Sequence, residues 1–273
     1  MNTASIAFIG GGNMARSLIG GLVARGHAAA SLRVAEPVPE LRDALAADFG
    51  VAAWPSAPEA AGGAAVWVLA VKPQVLRDVC RSLALLAQAR RPLVVSIAAG
   101  VTTAQIDRWL GGGQAVLRTM PNTPALLGAG ATGLYANPAV SGEQRLAGEA
   151  LMQATGITAW IPDEALMDAV TALSGSGPAY VFLLAEAMQA AGEAQGLAPD
   201  TARRLVIQTL LGASRMLDQS SEEAAVLRQR VTSPGGTTQA AVESFEADGF
   251  RTLVDRAIAA ATRRGRELAA DNP

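Results

Sequence analysis

The stretch "SIAFIGGGNMARSLIGGLVARG" (residues 5–26) decides how this chain folds. An apolar run meets three successive glycines, and a helical pattern over 14–26 follows at once. That order reads as strand, tight turn and helix, with Gly10, Gly12 and Ala15 as G-x-G-x-x-A. Gly10 permits the turn, Gly12 lets the backbone approach a pyrophosphate, and Ala15 lets helix and strand pack closely. The helix N-terminus offers free N–H groups and a partial positive charge to phosphates. A glycine motif alone is weak. Here it is the first βα turn, and Glu36 closes the second predicted strand, 24 residues after Gly12. A ribose-binding carboxylate is expected at roughly that distance, ~20 residues on. The plainer reading is that Glu36 caps a helix beginning near Pro37. A carboxylate at the ribose accepts its hydroxyls and repels a 2′-phosphate. Arg33 and Arg42 stand close enough in sequence to offset part of that repulsion, so NAD(H) and NADP(H) both stay open.

Working outward, strands are predicted at 5–10, 32–37, 64–71, 92–100, 114–120, 131–137 and 156–162. Helical patterns fall at 74–89 and near 102–110. Alternating strands and helices predict an α/β fold with a Rossmann-type doubly wound sheet. From Asp163 onward the pattern is helical: 177–196, 199–218, 222–230, 238–248 and 250–270. The chain is therefore expected to hold a dinucleotide-binding domain over 1–163 and an all-helical domain over 164–273. Helix 178–194 is apolar nearly all round, broken mainly by Glu186 and Gln189. Such a helix needs cover on several sides. A second subunit would supply it, and so would a central place in a monomeric bundle.

Composition removes several chemistries. Lys plus Arg is 22 and Asp plus Glu is 24, for a net charge of -2. That argues against a nucleic-acid surface. Cys80 is the only cysteine and His27 the only histidine. Neither a Cys/His zinc site nor a Ser-His-Asp triad can be assembled, and no metal is expected. His27 follows Gly26 at a helix end and is expected to be solvated. Any proton must come from a hydroxyl, a carboxylic acid, Lys72, the substrate or water. No signal-peptide pattern and no membrane-length apolar run is read, so a soluble cytoplasmic protein is expected. Lys72, the only lysine, sits in "AVKPQ" (70–74), a strand end with Pro73 opening a helix. That is either the ligand crevice of a doubly wound sheet or an ordinary helix start.

One late segment has no obvious use in a nucleotide fold. "VTSPGGTTQAAVESF" (231–245) puts glycines and hydroxyls directly before a helix. Gly235 and Gly236 free the backbone to curl its N–H groups round an anion, and the next helix N-terminus adds its dipole. The competing reading is helix capping, with Thr238 as an ordinary N-cap.

Six motifs together resemble the pyrroline-5-carboxylate reductases: "FIGGGNM", "AVKPQ", "SIAAGV" (96–101), "MPNTP" (120–124), "TALSGSGPAY" (171–180) and "VTSPGGTT" (231–238). The resemblance runs nearly the whole chain, and the last three motifs, in this order, are the specific ones. It implies reduction of a five-membered cyclic imine, 1-pyrroline-5-carboxylate, to proline by NAD(P)H, the last step of proline biosynthesis. It also implies a homodimer interlocked through the helical domains, with the late loop facing the partner's nicotinamide. Carried over by position, cofactor contacts fall on Ile9, Gly10, Gly11, Gly12, Asn13, Met14, Glu36, Ala70, Val71, Lys72, Pro73, Ala98, Ala99 and Gly100. Substrate contacts fall on Ser233, Gly235, Gly236, Thr237 and Thr238. Thr238 is the hydroxyl expected nearest the ring nitrogen. Asn122 and Thr123 either shape the floor of the nicotinamide pocket or form a Pro-bounded turn. Two positions depart from the family pattern. Glu36 stands where NADPH-preferring members often carry a small polar residue, and Ala57 where an asparagine is often found.

Two other readings fit the first half of the chain. A dehydrogenase of the β-hydroxyacid type would use a lysine on a second-domain helix, and none exists there. A non-catalytic dinucleotide sensor would have no need of "SPGGTT".

Overall fold

The structure, a computed structural model, describes residues 5–270. The start of the chain, on which the leader-peptide reading rests in part, lies outside the described residues.

Eight strands form one sheet: β1 (Ile6–Ile9), β2 (Leu32–Ala35), β3 (Ala52–Trp54), β4 (Val66–Leu69), β5 (Leu93–Ser96), β6 (Ala115–Met120), β7 (Gly130–Ala136) and β8 (Gly156–Trp160). Their spatial order is β3-β2-β1-β4-β5-β6-β7-β8. All neighbours are parallel except β6 and β7. The order reverses between β1 and β4, the point where doubly wound sheets open a ligand crevice.

Helices cover both faces. α1 (Asn13–Ala24), α2 (Pro39–Phe49), α3 (Ala57–Ala61), α4 (Pro73–Arg90), α5 (Thr103–Trp109) and α6 (Gly142–Met152) follow in order. The strands alternate between two cores with the period of two that a pleated strand imposes. Ile6, Phe8, Val66 and Val68 join Leu18, Ile19, Leu45 and Met152 on one side. Ala7, Ile9, Trp67 and Leu69 join Leu76, Cys80, Leu83 and Ile106 on the other. Burial holds the Cys80 thiol up at about 12, so it is not a nucleophile at neutral pH.

Four elements lie outside the sequence pattern: β3, α3, α6 and the irregular segment after β8. β3 and α3 span three and five residues, too few to show a period. The segment after β8 runs through α7 (Met167–Val170) into a π-helical turn, Thr171–Gly175. α8 (Gly177–Ala194), α9 (Pro199–Gln219), α10 (Ala224–Arg230), α11 (Thr237–Ala247) and α12 (Phe250–Ala270) complete the chain. No described residue after β8 is in a strand. The chain forms two compact units: residues up to Ser176 with those from Ala260 onward, and Gly177–Ala259. The helical pattern begins at 164, yet the first dozen helical residues and the last turns of α12 pack with the sheet. In the second unit no residue of α8 is buried, and Phe182 and Leu183 are about two-thirds exposed, at 67% and 66%. No described helix is long and apolar enough to cross a membrane.

His27 departs from expectation. Its Nε2 is buried with no hydrogen-bond partner, so the ring is not freely solvated.

Candidate active site

The three glycines of the first turn do three different jobs. Gly10 has φ +105, and a Cβ there would lie 2.6 Å from the Ala70 carbonyl oxygen. Its N–H donates to Ala35 O at 2.9 Å. Gly10 therefore draws the ends of β1, β2 and β4 together, and no side chain fits. Gly11 backs onto protein: a Cβ would meet Leu45 Cδ1 at 2.5 Å. Gly12 faces open space, with nothing within 4 Å of a Cβ. In α1 the Arg16 N–H bonds Gly12 O at 3.0 Å, which leaves the amides of Asn13, Met14 and Ala15 without helical carbonyls. Unbonded amides beside the one open glycine fit the phosphates of a dinucleotide. Ala15 is 1% exposed, as close helix–strand packing requires.

Glu36 lies one residue beyond β2 and is 7% exposed. Its Oε2 accepts the Gly11 N–H at 3.0 Å and its Oε1 accepts the Val38 N–H at 3.0 Å. The carboxylate thus ties the glycine turn to the residue before α2, but it does not cap that helix, whose N-cap is Val38 with no side-chain cap. Each oxygen retains a lone pair for a ribose hydroxyl. The two arginines differ. Arg33 stacks over Trp54 at 3.9 Å and donates to Glu59 O and Ala60 O, so it closes the end of α3 and is not available to a phosphate. Arg42 donates from Nη1 to the Glu36 carbonyl oxygen at 2.9 Å and has no carboxylate partner among the described residues.

The other positions expected to contact a cofactor follow the ends of β4 and β5. Ala70 and Val71 touch Gly10 directly. Lys72 is the exposed N-cap of α4, with Pro73 at its first position and no partner for its ammonium among the described residues. Ala98 and Ala99 follow β5, and the Ala98 N–H bonds Ser96 Oγ at 3.3 Å. Gly100 has φ +70, and a Cβ there would sit 3.2 Å from Leu268 Cβ. The positive φ and the last turns of α12 therefore favour a glycine at this position. Asn122 has both ends of its amide engaged by backbone: Nδ2 donates to Ser174 O at 3.0 Å, and Oδ1 accepts from the Ala131 N–H at 2.9 Å.

One buried cluster escaped the sequence reading. Arg118 on β6 pairs with Glu164 at 3.2 Å and Asp168 at 3.5 Å. Glu164 also accepts the N–H and hydroxyl of Thr103 at 2.7 and 2.8 Å. An arginine inside the apolar strand "QAVLRTM" was the available signal, because a buried charge demands partners.

The late loop, in the second unit, corrects two expectations. The Gly235 N–H, at φ +71, donates to Gln239 Oε1 at 2.6 Å. The Gly236 N–H donates to Ser233 O at 3.0 Å. Those two amides are spent within the loop and do not curl round an open anion site. Nor is Thr238 the N-cap: Gly236 is, with no side-chain cap, and Thr238 is the second residue of α11. The first helical bond of α11 runs from Ala240 N–H to Gly236 O at 3.2 Å. The amides of Thr237, Thr238 and Gln239 remain as orphan donors, beside the hydroxyls of Ser233, Thr237 and Thr238.

Among the described residues no three His, Cys, Asp or Glu side chains gather as a metal site.

Comparison with known proteins agrees with this layout. Residues 164–268 match the family described as pyrroline-5-carboxylate reductase dimerisation. Residues 5–100 match the family described as NADP oxidoreductase, coenzyme F420-dependent. A pyrroline-5-carboxylate reductase of Pseudomonas aeruginosa is 53% identical over 271 residues, covering 98% of each chain. A solved pyrroline-5-carboxylate reductase of Coxiella burnetii superposes with a TM-score of 0.95 at 43% identity, over 98% of this chain and 99% of that one. A Plasmodium falciparum pyrroline carboxylate reductase solved with NADP bound gives a TM-score of 0.87 at 27% identity, over 98% and 99%.

Proposed function

This chain belongs to the pyrroline-5-carboxylate reductase family, and we propose that its sheet edge holds the nicotinamide cofactor while its late loop holds the imine. The protein is an NAD(P)H-dependent oxidoreductase that reduces 1-pyrroline-5-carboxylate to proline. The observation that carries the division of labour is that each unit has a helix N-terminus with orphan amides, one beside open Gly12 and one at Thr238.

The cofactor, when bound, supplies the hydride that adds to the imine carbon. The protein's own work is positioning, which can lower a barrier by several kcal/mol, ~7–11 at best. The free amides of Asn13, Met14 and Ala15 take the pyrophosphate. Ala70, Val71, Lys72 and Pro73 form one wall, with Ala98 and Ala99 beside them. The amides of Thr237 and Thr238, with the Ser233 hydroxyl, take the substrate carboxylate. The Thr238 hydroxyl meets the ring nitrogen, where charge changes as the C=N bond becomes C–N. A protonated imine is already electrophilic, so a chain with one histidine suffices. The bare apolar flank of α8 supports an interlocked homodimer in which one subunit's loop closes on the other's cofactor.

On cofactor choice, Glu36 and Arg42 oppose one another. Glu36 favours an unmodified ribose, and Arg42, lashed to its carbonyl, offers free N–H groups to a 2′-phosphate. Glu36→Ser is expected to weaken both cofactors, because the Gly11 and Val38 amides lose their acceptor. It is also expected to raise the NADPH-to-NADH ratio of kcat/KM by roughly tenfold, the effect of one charge contact of ~1–2 kcal/mol. Arg42→Ala should move the ratio the other way. Steady-state kinetics with both cofactors tests this, and an unchanged ratio in both variants would remove these residues from the ribose.

A further inference from the structure

The geometry points to Asn122 as a positioning residue: it clamps the π-helical turn before α8 onto the loop that leaves β6, and so fixes the imine-facing wall of the crevice. The inference rests on the reading of this sheet edge as the reductase site. In an unbroken α-helix the amide at position 178 would bond the Ser174 carbonyl, but Pro178 has no N–H. That oxygen would be an orphan acceptor. Asn122 Nδ2 supplies the missing donor at 3.0 Å, from "MPNTP", 52 residues earlier in the chain.

Several bonds of the turn are local. Ser176 N–H reaches Thr171 O at 2.8 Å, five residues back. The hydroxyls of Thr171 and Ser174 bond Met167 O and Val170 O at 2.9 and 3.0 Å. Ser174 O instead takes its donor from a distant side chain. The other end of the same amide accepts the Ala131 N–H at 2.9 Å, at the start of β7. One side chain therefore joins the end of β6, the start of β7 and the break ahead of α8. The seam is tight: a Cβ on Gly175 would lie 2.6 Å from Met120 Cε, and one on Gly133 2.6 Å from Val170 Cγ1. π-Helical turns inside helices recur at functional sites. With both ends of its amide committed to backbone, Asn122 acts on the reaction through this seam.

The test compares Asn122→Ala, Pro178→Ala and the double variant in melting temperature, cofactor Kd and steady-state kinetics. Asn122→Ala should lower the melting temperature by ~2–8 °C, as loss of a bond to a partly buried carbonyl does. It should lower kcat/KM for the imine by ~10-fold, with the Kd of NADPH and NADH held within ~2-fold. Adding Pro178→Ala returns an N–H to Ser174 O, so the double variant should recover about half of the lost melting temperature and part of the lost kcat/KM. Strictly additive losses would overturn the clamp. A tenfold weaker cofactor Kd with an unmoved imine KM would also overturn it and make Asn122 a direct cofactor contact. If the unaltered protein fails to reduce the imine, the functional reading falls, while the melting temperatures still decide the clamp.

Discussion

Gly10→Ala is expected to abolish cofactor-dependent turnover in a protein that still folds. The added Cβ would lie 2.6 Å from Ala70 O and 3.1 Å from Val71 Cγ1, and φ +105 lies outside the region alanine adopts readily. The nearest crowding atom is main chain, one residue past β4, so it cannot rotate away as a side chain would. The turn must open, moving Gly12 and the α1 amides off the phosphate position. Strain of ~1–3 kcal/mol adds to the loss of several aligned donors, so cofactor affinity should fall on the order of 100-fold or more. Gly12→Ala is the contrast. Its Cβ meets nothing within 4 Å, so the melting temperature should hold while a ligand approaching the backbone is crowded. Binding titrations and thermal melts on the two variants check this. Wild-type affinity in Gly10→Ala would remove the turn from the cofactor site.

Thr238→Ala is expected to lower kcat/KM for the imine by roughly 5- to 150-fold, equivalent to ~1–3 kcal/mol of transition-state stabilisation. The substitution removes one hydroxyl and leaves the orphan amides of α11 in place. Cofactor affinity should hold, because the proposed nucleotide contacts lie in the first unit. The melting temperature should hold too, because Gly236 caps α11 and Thr238 makes no capping bond. Kinetics and melts on one sample separate the two roles. Normal kinetics with a lowered melting temperature would return Thr238 to a structural part.

The sheet was legible because its strands carry strong local signals. "SIAFIG", "VWVL" and "LVVS" are continuous apolar runs, and each ends in small residues where a crevice must open. Glu36 was read as closing a strand over 32–37, and it lies one residue beyond the end of β2 at Ala35. The second bond of Glu36, to Gly11, was not legible, since it depends on how two loops meet in space. The same is true of Gly100, whose neighbour is 168 residues away at Leu268. Asn122 and Ser174 meet because a proline leaves a carbonyl unpaired, which no periodicity reports. The late loop was found from its glycines and hydroxyls. Its donors were misassigned because sequence does not reveal that Gln239 reaches back to Gly235. Arg118 carried a readable sign, a charge in an apolar strand, but its partners Glu164 and Asp168 come from an irregular segment without a period of its own.

The central claim is that this chain reduces a cyclic imine carboxylate, with the cofactor on its sheet edge and the substrate on its late loop. Oxidation of NADPH and of NADH by the purified, folded protein, followed with and without 1-pyrroline-5-carboxylate and with the product analysed, tests it most directly. The account predicts cofactor oxidation only when the imine is present, with one proline formed for each cofactor consumed. A folded protein that binds either cofactor yet leaves both unoxidised in the presence of the imine would contradict it.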